Sequence, residues 1–146
     1  MGLVLASAAI QKGPMLYAIL CYNSEEIVGS WTKEEDDAVM ARLEVVHDRL
    51  TSQRKLGPAV RLTGTRKATT VRKTGQGRRL EPGREPPAVI DGPYAETKEQ
   101  MLGFYVIDVA SPDEAVDICR QLAQANPGGA YELRPVSLYL PGSPLG

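Results

Sequence analysis

The chain has 146 residues, 42% hydrophobic, 24% charged and 5% aromatic, with 17 basic against 18 acidic side chains. A chain of this length buries roughly two-thirds of its unfolded surface and supports one core rather than two, and its near-neutral balance removes any global pull toward nucleic acid or anionic membranes. Its two cysteines, Cys21 and Cys119, lack any short spacing, which excludes a disulfide framework or a cysteine metal site and fits a reducing, cytoplasmic setting.

Residues 1–14, MGLVLASAAIQKGP, hold a short apolar run from Leu3 to Ile10. The run lacks the basic start of a secretory signal and falls short of the about 20 apolar residues that cross a bilayer. The segment is expected to be a disordered N-terminal extension outside the domain. Met15 opens MLYAILCY, with Leu16, Ala18 and Leu20 on one face and Tyr17, Ile19 and Cys21 on the other. Apolar residues on both faces predict a strand buried on both sides. Thr32 stands three residues before Glu35, the spacing of a capping box, and a helix is expected from there to about Arg54. Val39, Leu43, Val46 and Leu50 give that helix one apolar stripe, and Gly57 and Pro58 close it.

Residues 58–90 read as extended hairpin structure: VRLTGT, then KATTVRK, then the turn-rich GQGRRLEPGREPP as a mobile tip, then AVI. DGPYAETKEQ follows, from Asp91 to Gln100, and leads into the strand FYVIDV. Ser111 and Glu114 make a second capping box with Pro112 at the first helical position, and Ala115, Ile118, Cys119 and Leu122 form the buried face of that helix. Asn126 to Gly129 stop it, and AYELRPV is a last alternating strand. Residues 15–140 thus form one domain, with 141–146 as a flexible tail. The doubled strand-helix-strand unit predicts an α+β fold of the ferredoxin-like βαββαβ kind, an antiparallel sheet with two helices on one face. The other face would be left apolar and bare, so a homodimer is expected.

Chemistry concentrates around Asp91, where Gly92 and Pro93 force a turn. Its carboxylate either fixes that turn by bonding the following amides or is held rigidly at the sheet's rim for use on a ligand. Glu96 and Glu99 add two carboxylates that are either solvated or functional. His47, the one histidine, lies four residues after Leu43 on the flank of the stripe, as a packing residue or as a cleft group able to take and give a proton near neutral pH. One histidine and scattered acids reproduce no metal-ligand spacing, and the glycines near 64 and 75 do not lead into a helix with Lys and Ser or Thr, so neither metal nor nucleotide cofactor is expected.

DGPYAETKEQMLGFYVIDVASPDEAV resembles the DGPF-type members of the YCII-related proteins, which carry D-G-P-F-A-E-T-K-E-Q before a strand opening on Gly and an aromatic residue. The resemblance runs from about Met15 to Val136, with Tyr94 standing for the usual Phe. It implies a dimeric α+β barrel and, through the acid-base pair proposed in relatives, His47 and Asp91 as catalytic residues in one pocket, with Tyr94, Glu96 and Glu99 as substrate-binding candidates. A carboxylate beside His47 would raise the imidazole's pKa. The implied function is a cofactor-free, small-molecule-binding or acid-base enzyme. The alternative is a non-catalytic regulatory or binding protein, since such domains can accompany alternative sigma factors. A third reading comes from charge: between Arg54 and Arg84 ten basic residues face the single acid Glu81. A ribbon this basic could contact phosphates, but without aromatic residues for base stacking it reads more simply as a charged hairpin.

Overall fold

The computed structural model describes residues 15–73 and 85–145. In chain order these form β1 (Met15–Ser24), α1 (Glu25–Gly29), α2 (Lys33–Ser52), β2 (Leu56–Arg61), one 3-10 turn (Thr65–Lys67), β3 (Thr69–Arg72), β4 (Ala88–Asp91), β5 (Glu99–Val109), α3 (Pro112–Ala125) and β6 (Ala130–Pro135). The expected N-terminal extension (1–14) and most of the expected hairpin tip (75–87) lie outside the described residues.

Four strands make one antiparallel sheet in the order β2-β5-β1-β6. With α2 joining β1 to β2 and α3 joining β5 to β6, this is the expected βαββαβ frame of an α+β fold. β3 and β4 form a separate two-stranded ribbon inserted between β2 and β5. TTVR pairs with AVID, Thr69 opposite Asp91, the two arms expected to flank the turn-rich tip, while the preceding VRLTGT enters the main sheet through Val60 and Arg61. The 3-10 turn at Thr65–Lys67 breaks the chain between the two segments.

Thr32 caps α2 through the anticipated box: its hydroxyl accepts from Glu35 N, and the Glu35 carboxylate accepts from Thr32 N, both at 3.1 Å. At α3 only half the box forms. Ser111 Oγ accepts from Glu114 N at 3.2 Å, but the Glu114 carboxylate reaches back to Ala110 N at 2.9 Å and to Lys55 Nζ at 2.7 Å. The close of α2 also differs from the expectation. Arg54 takes a left-handed φ of 59° and Lys55 N donates to Leu50 O at 2.9 Å, so the helix ends before Gly57 and Pro58, which enter β2. Pro58 is tolerated because β2 is an edge strand.

The apolar stripe of α2 (Val39, Leu43, Val46, Leu50) and that of α3 (Ala115, Ile118, Leu122, Ala125) close on Tyr17, Ile19, Ile107 and Val109 of the two central strands. Cys119 is only half-buried beside this core, and Ala125 takes its expected place on the buried face. Each fully buried Ile or Leu contributes about 1.5–3 kcal/mol, so both helices are held by packing more than by their caps. Leu16, Ala18, Leu20, Phe104 and Val106 alternate onto the opposite face, where they are half-buried rather than enclosed. No helix among the described residues is long and apolar enough to cross a membrane.

Candidate functional site

The helix-facing side of the sheet carries two neighbouring cross-strand rows, Arg61–Gly103–Cys21–Tyr131 and Ala59–Tyr105–Ile19–Leu133. The first row has large residues at its ends and small ones in the middle. Gly103 is required there, because a Cβ on it would strike the carbonyl oxygen of Val60 on the adjacent strand. The small centre leaves a trough, which α2 closes with Val39, Met40, Leu43 and His47 and which α1 and the following loop close with Val28 and Trp31. The result is a largely apolar pocket of about 270 Å³ at the end of the sheet where β5 begins.

Polar pairs stand around its wall. His47 Nε2 and Tyr105 Oη are hydrogen-bonded at 2.8 Å, with the rings edge to face at 5.3 Å between centroids. The imidazole tautomer decides which of the two donates. Arg61 Nη2 donates to Asp36 Oδ1 at 3.2 Å across the mouth. Asn126 Nδ2 donates to Tyr131 Oη at 3.1 Å. Burial pulls the His47 pKa below its ordinary value, against an upward pull from Asp48 and Glu44. Burial pushes both phenols up, Tyr131 to about 12, and the thiol of Cys21 likewise to about 12. At neutral pH the site therefore holds a neutral imidazole, protonated phenols and an unreactive thiol.

His47 sits where the sequence puts it, on the sheet-facing flank of α2, and the other proposed residues stand elsewhere. Asp91 ends β4 on the ribbon, is exposed, and is not among the residues lining the pocket. The structure does not bring it to His47, whose hydrogen-bond partner is Tyr105. The carboxylate-driven rise in the histidine pKa is accordingly replaced by a fall. The DGP turn does form, with Gly92 at a φ of 104°, but backbone and hydroxyl groups hold it: Gly92 N donates to Ala68 O and Thr70 Oγ1 to Gly92 O, each at 2.8 Å. Tyr94 is 78% exposed and lies under the Arg72 guanidinium at 5.6 Å. Glu96 and Glu99 are exposed on the segment entering β5. Among the described residues of that basic stretch, Lys55 is neutralised by Glu114 and Arg61 by Asp36.

Tyr105, Tyr131, Trp31 and Asn126 belong to the site without having been singled out. Alternation within β5 and β6 gives each tyrosine a side of its own strand, and the pairing of Cys21 with Tyr131 and of Ile19 with Tyr105 is what brings both to the face of Cys21. Among the described residues no group of three His, Cys, Asp or Glu side chains is arranged to hold a metal.

The family model for the YCII-related domain matches residues 15–139. An uncharacterised protein of Rhizobium meliloti (strain 1021) is 50% identical over 129 residues, which cover 88% of this chain and 97% of that protein.

Proposed function

The chain belongs to the YCII-related family, and from that premise we propose that it is a cofactor-free acid-base enzyme acting on a small, mainly apolar molecule, with His47 as the proton-handling group. One observation carries the reading: the hydrogen bond between His47 and Tyr105 on the wall of an otherwise apolar pocket. A neutral imidazole next to a protonated phenol can accept a proton from a weakly acidic ligand and return it, and water exclusion strengthens every such interaction. Tyr105 takes the orienting place first given to Asp91. The working unit in this reading is a homodimer formed through the helix-free sheet face.

The test is isotope exchange. Small enolisable ketones and hydroxylated rings incubated with the protein in D2O should lose C–H proton signals faster than in buffer, and His47→Gln, which keeps a polar group opposite Tyr105, should slow that exchange by about 100-fold or more. A panel member that binds the pocket, read from Trp31 fluorescence, yet exchanges no faster than in buffer would move the protein to the non-catalytic binding reading.

A further inference from the structure

We propose that Tyr131 is the residue that reads the ligand's oxygen: its hydroxyl donates to a carbonyl held over the Gly103–Cys21 trough, which makes the ligand a small carbonyl compound. The inference rests on the pocket reading above and deepens it.

A phenol has one proton to donate and two lone pairs. Asn126 Nδ2 uses a lone pair of Tyr131, donating at 3.1 Å, and Asn126 Oδ1 is buried without a partner, so with the amide in this orientation the phenolic proton has no acceptor among the described residues. Asn126 is fixed where α3 ends, its backbone N donating to Leu122 O at 3.0 Å, so the amide holds the phenol in place. The proton is always present at physiological pH, since burial keeps the Tyr131 pKa at about 12. A protonated, oriented donor on an apolar wall lacks only an acceptor.

Position then says what the acceptor is attached to. Tyr131 on β6 and Tyr105 on β5 face the same side of the sheet with β1 between them. Two strand spacings separate β5 from β6 by about 10 Å, a gap for one small ring or short chain. A carbonyl on Tyr131 thus turns its neighbouring carbon toward His47 and Tyr105. In turnover the C–H bond beside the carbonyl breaks and its proton passes to the His47–Tyr105 pair. The C–H electron pair becomes the C=C bond, and the carbonyl pair moves onto oxygen, where Tyr131 donates. Return of the proton closes the cycle with no oxidant or reductant.

Acetophenone and ethylbenzene, nearly one shape with and without the oxygen, are the probes, titrated against the full chain by NMR. Acetophenone should bind about three- to tenfold more tightly, the worth of one net hydrogen bond. Tyr131→Phe, which keeps the ring and loses only the oxygen, should erase that preference. A 13C label in the carbonyl gives a reading independent of affinity: its resonance should move downfield on binding to wild type and stay unmoved with Tyr131→Phe. Equal affinities in wild type would overturn the assignment while leaving the pocket and His47 in place. So would a preference and downfield shift that survive in Tyr131→Phe, as they would if the Asn126 amide were turned over and the phenol donated to its Oδ1. Uptake of neither compound by wild type would overturn the pocket reading and this one with it.

Discussion

Burial of His47 has a cost that pH exposes. Its folded-state pKa lies below the unfolded value of 6.5, so the unfolded chain binds more protons in the window beneath that value. Stability is therefore untouched by His47 above about pH 7 and falls as pH drops through the window. Urea denaturation of wild type and His47→Gln from pH 8 to pH 5 should show wild type losing ground to the variant on acidification; a relative gain for wild type would contradict the burial. Much of this residue's setting was legible, because four residues beyond Leu43 on an amphipathic helix is a sheet-facing flank. Its partner was not. Alternation put Tyr105 on the helix side of β5, but which helical residue crosses above it depends on how α2 lies over the sheet, and no local spacing encodes that. Asp91 shows the same divide: its turn could be read from Gly92 and Pro93, and its distance from the pocket could not, because β4 pairs with β3 on a ribbon apart from the main sheet.

At the scale of elements, the part of the site missing from the sequence reading is α1. Its 5 residues are too few for a periodic signal, and Ser24, which caps it by accepting from Ile27 N at 3.3 Å, has Ile27 rather than Glu or Gln at the capping-box position. The element matters because Val28 and Trp31 form one wall of the pocket. It is tied down by Glu25, whose carboxylate accepts from Thr65 N at 2.8 Å and from the Thr65 hydroxyl, joining α1 to the turn that follows β2. Those bonds hold the Glu25 pKa below its ordinary value. The tie is in place above the unfolded pKa of 4.5 and lost as pH falls through the lower folded value. Glu25→Gln should loosen this wall by about 0.5–1 kcal/mol, a modest figure because the pair is partly exposed. Trp31 should then be more readily quenched by acrylamide, and amides from 25 to 31 should exchange severalfold faster, with the core helices unchanged. Unaltered quenching and exchange would mean that α1 is held by packing alone.

Among the described residues the helices lie on one side of the main sheet, and half-buried apolar side chains, with Asp108, Glu132 and Arg134 among them, lie on the other. Leu16, Ala18, Leu20, Phe104 and Val106 occupy that second face, and a patch of this kind is normally covered. A second copy is the economical cover, since the same patch can meet itself about a two-fold axis. Light scattering should give twice the chain mass of 15.8 kDa, and Val106→Glu, by placing a charge at the centre of the face, should return the single-chain mass with the helices intact. A wild type that stays single at micromolar concentration would sink the homodimer. The four-stranded frame was readable because two capped, striped helices each follow an apolar strand.

Among the described residues β2 and β6 stand at the two edges of the main sheet, and each carries a proline, Pro58 in one and Pro135 in the other. Proline offers no N–H to an incoming strand, and β2 is further thrown out of register between Leu56 and Ala59. Both lateral routes to polymer growth are thereby blunted, and an association through the broad face would close as a pair rather than extend as an open-ended fibre.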